Sequence, residues 1–194
     1  MKRLLTGGLI SLALAGGMAY ADDYTFNTHS LIGIEGGYNS FDMEHGIVGS
    51  TKNETKEYGH VGLKIGGQTD NYRLFLSARS YEISGFDHAN SVGAELQYMA
   101  NFSESANLFI GFNAGVMNFK YEVDPTLSSV TDKKEYYGGD LGVNLHLMEE
   151  VDFEIGARYM YLGYDKKFST GNGVAKLDHI VGGYASLIYK FKMD

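Results

Sequence analysis

The sequence contains no cysteine and no tryptophan, and it has only one proline among its 194 residues. The lack of cysteine excludes disulfide scaffolds and thiolate metal sites. Lysine and arginine number 16 against 24 aspartates and glutamates, so the formal net charge is −8 and nucleic acid is not expected as a partner. The chain is rich in glycine (26), tyrosine (15) and phenylalanine (11). This composition argues against disorder, and the length indicates a single domain.

The start of the chain has the pattern of an export signal. Lys2 and Arg3 precede an uncharged stretch rich in leucine and alanine, and the motif Ala-Tyr-Ala closes the segment at Ala21. The apolar stretch is shorter than the ~20 residues that a membrane-spanning helix needs. We therefore expect a cleaved signal peptide over 1–21, followed by one exported domain over 22–194.

The rest of the sequence alternates apolar and polar residues with a period of two, which is typical of β-strands. The pattern predicts eight strands, at 30–41, 58–67, 72–82, 91–102, 107–119, 136–147, 151–162 and 179–191. The longer gaps between them fall at 42–57, 83–90, 120–135 and 163–178. The tight turns alternate with these gaps and fall at 68–71, 103–106 and 148–150. Such alternation is typical of a membrane barrel, in which short periplasmic turns alternate with longer outer loops.

Nearly all charged residues of the predicted strands fall on one face. Ten of them share that face: Glu35, Lys64, Arg73, Arg79, Glu95, Asp140, Asp152, Glu154, Arg158 and Lys190. A water-soluble barrel would place its charges outside. On a lipid-facing side, each lysine or arginine at mid-bilayer would cost roughly 2–4 kcal/mol. The sequence therefore predicts an all-β fold, an eight-stranded antiparallel up-and-down transmembrane β-barrel with its charges inside.

Aromatic residues cluster near the ends of the predicted strands, where a barrel meets the two membrane–water interfaces. The candidates for these girdles are Tyr38, Tyr72, Phe102, Tyr137, Phe153, Tyr159 and Tyr161. The alternative is that they are ordinary strand aromatics with no interfacial role.

Opposite charges are also predicted to meet inside the barrel. Partners across an antiparallel hairpin have residue numbers that sum to a constant, near twice the midpoint of the connection. This rule predicts three directly opposed pairs, Glu35–Lys64, Arg79–Glu95 and Asp140–Arg158. Asymmetric loops can shift a register by two residues, and the turn at 148–150 is the shortest. An ion left alone in a narrow lumen would cost ~3–5 kcal/mol, so such pairs are expected to form a network that fills the interior.

The mature chain resembles the small outer-membrane β-barrels of the OmpA-transmembrane-domain and OmpX type. The most specific part is the alternation that ends in Leu187, Tyr189 and Phe191, which is similar to the C-terminal signal of that family. The family usually ends on the aromatic residue, whereas three residues follow here, so Met193 is an alternative terminal position. The resemblance implies insertion into the cell outer membrane of a Gram-negative bacterium. It also implies contact with outer-membrane lipid and lipopolysaccharide, and handling by periplasmic chaperones and the barrel-assembly machinery.

Three functions fit such a barrel. The first is a structural or surface-interaction scaffold, in which four outer loops are displayed for adhesion to a host or surface ligand. The second is a narrow porin-like channel for ions or small solutes, although side chains nearly fill an eight-stranded interior. The third is a lipid A-modifying enzyme. We expect the scaffold, with no enzyme activity and no cofactor.

Few residues could carry out catalysis or bind a metal. A hydrolase-like site would need a serine and a histidine near the outer interface, and the nearest sets are His88 with Ser91 and His179 with Asp178. No serine is spaced to partner His179. His45 with Asp42 and Glu44 could hold a cation only loosely. His60 and His146 face inward and are expected to join the interior hydrogen bonds.

Overall fold

The structure is a computed structural model that describes residues 28–47, 50–82, 88–121, 130–167 and 173–192. Eight strands run in chain order: β1 (His29–Ile47), β2 (Ser50–Gln68), β3 (Tyr72–Tyr81), β4 (His88–Ser103), β5 (Ala106–Tyr121), β6 (Val130–Met148), β7 (Val151–Lys167) and β8 (Gly173–Phe191). Each strand pairs antiparallel with the next, and β1 pairs with β8, so the sheet closes on itself. The predicted eight-stranded, all-β, up-and-down barrel is confirmed. The signal peptide expected at 1–21 and Met193 lie outside the described residues.

The described part of the chain contains no helix that is long and apolar enough to span a membrane.

Most strands extend further than predicted on the side of the long gaps. The gap expected at 42–57 is wrong, because β1 and β2 continue through it and pair as far as Ile47 with Ser50. β5 and β6 likewise pair as far as Tyr121 with Val130. The backbone ladder continues in these extensions, although the apolar alternation of the sequence fades there.

β3 is the shortest strand and sets the minimum height of the wall. Its ten residues, at ~3.3 Å per residue and a tilt of about 40°, span roughly 25 Å, which matches the apolar band of a membrane barrel. The neighbouring strand β2 extends past the end of β3. Its first ten residues, 50–59, have no partner in β3. Among the described strands, the edge of the barrel at the long-hairpin end is therefore uneven, and β3 is the strand that ends lowest there.

A belt of large apolar side chains covers the outside of the barrel. Ile34, Leu63 and Leu141 are each more than half exposed, and all lie on the outward parity of their strands. On the outward face of the described strands, charged residues occur only beyond this belt, as at Glu57. Glu57 Oε2 accepts a hydrogen bond of 3.3 Å from the Tyr38 hydroxyl. An apolar surface of this extent is unfavourable in water and suited to lipid.

The observed registers differ from two of the three predicted ones. Glu35 lies opposite Gly62 rather than Lys64, a difference of two residues. Arg79 lies opposite Ser91 rather than Glu95, a difference of four. Both errors come from misplaced strand ends, which displaced the assumed midpoint of each hairpin. Across the tight β6–β7 turn, in contrast, Asp140 lies opposite Arg158, the register expected from the turn.

Candidate functional site

The inside of the barrel is lined by five acidic and five basic side chains at the positions where the alternation put them. Nine are buried, and the tenth, Lys190, is nearly so: they are Glu35, Lys64, Arg73, Arg79, Glu95, Asp140, Asp152, Glu154, Arg158 and Lys190. Glycines make room for them. A Cβ at Gly62 would lie 2.9 Å from Cγ of Arg79, and one at Gly156 would lie 2.7 Å from Cζ of Tyr184. The middle of the interior is thus occupied by acidic and basic side chains in equal numbers.

Four basic groups surround the Glu35 carboxylate at the centre of this network. Lys64 Nζ lies 2.8 Å from Glu35 Oε2, although the register places Lys64 two residues away from direct opposition. Arg79 Nε and Arg158 Nη1 lie 2.5 and 2.7 Å from Oε1. His60 Nε2 lies 2.9 Å from the same oxygen. The long cationic side chains therefore compensate for the shifted register.

Arg158 links three carboxylates. Its Nε donates to Asp140 Oδ1 at 2.7 Å, its Nη1 donates to Glu35, and its Nη2 lies 3.3 Å from Glu95 Oε2. Its guanidinium lies over the Tyr184 ring, 4.4 Å from the centroid. Glu95 also accepts a hydrogen bond from Arg79. Asp140 Oδ2 has no hydrogen-bond partner among the described residues, so Arg158 is the main compensation for the Asp140 charge.

A second group of charges lies toward the tight turns. Asp152 accepts hydrogen bonds from Arg73, from Lys190 Nζ at 2.8 Å and from Asn144 Nδ2 at 3.1 Å, and His146 Nδ1 lies 2.8 Å away. Glu154 joins the two groups, because its carboxylate accepts a hydrogen bond from Lys64 Nζ at 3.0 Å and lies 3.7 Å from Arg73 Nη1. The charges therefore form one connected network along the barrel axis.

Apolar side chains fill the interior above the charges, toward the long hairpins. This hydrophobic layer consists of Phe41, Tyr58, Tyr81, Ala89, Met117, Phe119, Tyr136, Met160, Leu162, Leu177 and Ile180, all buried. The Phe41 and Tyr58 rings meet edge to face at 5.3 Å, and the Tyr58 and Tyr81 rings at 5.8 Å. This layer was not predicted from the sequence. The signal was present, since Phe41 and Met160 keep the inward parity of Glu35 and Arg158 on the same strands.

The predicted aromatic residues lie on the outside of the barrel. Tyr38, Tyr72, Phe102, Tyr137, Tyr159 and Tyr161 are exposed, while Phe153 is half-buried. Tyr72 packs on Tyr98 across the β3–β4 ladder at 5.4 Å, and Tyr137 packs on Tyr161 across β6–β7 at the same distance. These pairs lie near opposite ends of the belt, where interfacial aromatics are expected.

The C-terminal strand presents its alternating residues outward. Leu187, Tyr189 and Phe191 are all exposed, and the rings of Tyr189 and Phe191 stack at 6.1 Å. Tyr189 lies opposite Ile32 on β1, so these side chains flank the ladder that closes the barrel.

The candidate catalytic and metal-binding residues are not assembled into a site within the described residues. Ser91 is buried and lies 2.9 Å from the Tyr81 hydroxyl, and the side chain of His88 is outside the described part. His179 stacks on the Tyr159 ring at 5.8 Å.

Among the described residues, no group of three or more histidine, aspartate or glutamate side chains is placed to hold a metal ion. Asp42 accepts a hydrogen bond of 2.7 Å from Thr55 Oγ1. The side chains of Glu44 and His45 lie outside the described part.

The barrel is similar to solved outer-membrane barrels. Neisserial surface protein A (NspA) is 16% identical over 81% of this chain and 97% of its own, with a TM-score of 0.58. OprH of Pseudomonas aeruginosa is 16% identical over 84% of this chain and 99% of its own, with a TM-score of 0.56. OprG of the same organism is 16% identical over 85% of this chain and 97% of its own, with a TM-score of 0.55. No protein-family model and no curated protein matches the sequence. At this identity the likeness is one of fold: the chain has the fold of the small eight-stranded outer-membrane β-barrels.

Proposed function

We propose that the protein is a scaffold in the outer membrane of a Gram-negative bacterium, with a lumen that conducts nothing and hairpins displayed at the cell surface. The observation that carries this proposal is the filling of the lumen by two different layers in series. The ionic network fills its middle, and the hydrophobic layer lies between that network and the long hairpins. A channel would need a continuous polar path past both layers.

The two layers obstruct permeation by different means. In the ionic layer, every cation is held by neighbouring carboxylates at short distances, as at Glu35 with Lys64 and Arg158. A passing ion would have to displace one of these desolvated partners. In the hydrophobic layer, apolar side chains such as Met117 and Ile180 offer water no hydrogen bonds, and such constrictions close pores by dewetting.

Electrical recording tests this proposal directly. Because both layers obstruct the lumen, the refolded protein in a planar lipid bilayer is expected to show no steady conductance above that of the lipid. A porin of known conductance in the same bilayer is the positive control, and circular dichroism verifies that the inserted protein is folded. Steady openings of the unaltered protein would replace the scaffold with the narrow channel.

The same proposal places both chain ends and the tight turns in the periplasm, with the long hairpins outside. The apolar belt would contact lipid and lipopolysaccharide, and the outward residues Leu187, Tyr189 and Phe191 would be read by the barrel-assembly machinery after chaperones deliver the chain. A host or surface ligand would meet the long hairpins. We propose no catalytic role, because the His179 ring stacks on the Tyr159 ring.

Surface labelling tests this orientation. An epitope tag inserted within 48–52, at the tip of the β1–β2 hairpin, is expected to bind antibody on intact cells. The same tag at 69–70, in the β2–β3 turn, is expected to bind only after the outer membrane is opened. Placed at 48–49 within the first range, and at 69–70, the tags fall between paired residues, so each serves as the folding control for the other. Labelling of 69–70 alone on intact cells would invert the topology.

A further inference from the structure

A cavity of about 680 Å³ opens at the tight-turn end of the barrel, between the β2–β3 and β4–β5 turns. Its volume is in the range of sites for small molecules. Asn107 and His146 lie among its lining residues, Met99 and Phe102 are apolar parts of the wall, and Asp70 is at the rim. This cavity meets the turn end of the ionic network at His146, and the scaffold function makes no use of it.

One polar atom in the wall is buried and lacks a partner. Asp152 Oδ1 lies 2.8 Å from His146 Nδ1, which places the ring proton on Nδ1 and leaves Nε2 as an acceptor. Asn107 Nδ2 lies 3.3 Å from that Nε2 and is therefore the donor. The orientation of the amide follows, and Asn107 Oδ1 has no hydrogen-bond partner among the described residues. Since Asn107 is only 1% exposed, its carbonyl oxygen would be satisfied best by a donor that enters the cavity.

The charge of the lining has one sign. Asp70 and Glu104 contribute two carboxylates, whereas no lysine or arginine is among the described residues that line the cavity. The glutamates of the neighbouring turn, Glu149 and Glu150, are exposed and lie outside this lining. An anion would be repelled here, and a cation would be drawn in.

We propose that this cavity binds a small primary-amine cation. An alkylammonium group supplies three donors and a positive charge, which suits the Asn107 carbonyl oxygen and the two rim carboxylates. Its alkyl chain has Met99 and Phe102 to pack against, and an aromatic ring at the rim also attracts a cation. A metal ion fits less well, because no three ligating side chains among the described residues converge.

Titration of the protein refolded in detergent micelles, followed by NMR, tests the site and does not depend on membrane orientation. Three probes of equal length separate the contributions: pentylammonium, neutral 1-pentanol and anionic pentanoate. Pentylammonium is expected to shift the amide signals of Asn107 and His146, and the other two are not. A fourth probe, lysine blocked at both termini, separates the sources of the amine. If it binds more tightly than pentylammonium, the site takes lysine side chains of a protein, and if it binds more weakly, the site takes free amines.

Two matched double variants test the charge. Asp70→Asn with Glu104→Gln keeps the shape of the rim and removes its charge, so pentylammonium is expected to bind about tenfold more weakly. Glu149→Gln with Glu150→Gln removes the same charge from a turn outside the cavity and is expected to leave binding unchanged. Asn107→Leu should abolish binding, and the exposed rim variants still decide the question if that variant does not fold. Equal affinity for pentanol, or equal losses in both double variants, would overturn the proposal.

Discussion

Replacing Arg158 with alanine is expected to lower the free energy of unfolding by about 3–5 kcal/mol, since it leaves buried carboxylates without their cation. The loss falls mainly on Asp140, because Glu35 keeps Lys64 and Arg79 and Glu95 keeps Arg79. Urea titration of the protein in lipid vesicles, followed by tyrosine fluorescence and heat-modifiable migration, measures the change.

The double variant Arg158→Ala with Asp140→Ala identifies the pair that is responsible. It is expected to recover part of the lost stability, because it removes the orphaned charge together with its partner. Lys190→Ala is the matched control. When Lys190 is lost, its carboxylate Asp152 keeps Arg73 and His146, so no carboxylate is left without a cation and the loss of stability should be smaller than that of Arg158→Ala. The single variant Asp140→Ala completes the cycle. If the stability losses of the two single variants add up to that of the double variant, Asp140 and Arg158 are not coupled.

Replacing Leu141 with arginine is expected to destabilise the barrel in lipid by roughly 2–4 kcal/mol. Leu141 is 63% exposed on the outward face of β6 and lies between Ile110 and Ala157, midway along the apolar belt. The arginine would meet hydrocarbon there, although the same change would be harmless on a water-exposed sheet. Reversible unfolding in phospholipid vesicles measures the cost.

Leu147→Arg provides the control for depth. Leu147 is similarly exposed on the same strand but lies six residues further along, beside the tight turn at 149–150. A charge at that interface should cost only about 0–1 kcal/mol. Equal costs at the two positions would contradict the assignment of the outer face to lipid.

The alternation of residues was sufficient to predict the strand number, the closed all-β architecture and the face that carries the charges. A charged side chain on the outward face, at a position such as Leu141, would be costly inside a bilayer. The alternation of apolar and polar residues is therefore strict along this part of the strands. Above the belt that constraint ends. The sequence 42–57 therefore reads as a loop, although β1 and β2 remain paired through it.

The interior contacts could be predicted only in part, because they depend on register. A tight turn determines its register closely, and Asp140 therefore faces Arg158. Where strand ends were misjudged, the backbone partners were wrong, yet Lys64 still lies 2.8 Å from Glu35 because its side chain is long. The hydrophobic layer was not predicted for a different reason: apolar residues such as Phe41 lie on the inward face near the strand ends, and that face was expected to carry only charged, polar and small residues.

The ladders that join neighbouring strands are unequal, and this sets where the wall is mechanically weakest. The β1–β8 ladder, where the two ends of the chain meet, runs from Ser30 to Ile47, whereas the β2–β3 ladder runs only from His60 to Gln68. Under load, rupture starts along the line where the fewest hydrogen bonds must break together. The barrel should therefore open first between β2 and β3, and the β1–β8 ladder that closes the barrel should be among the last to open.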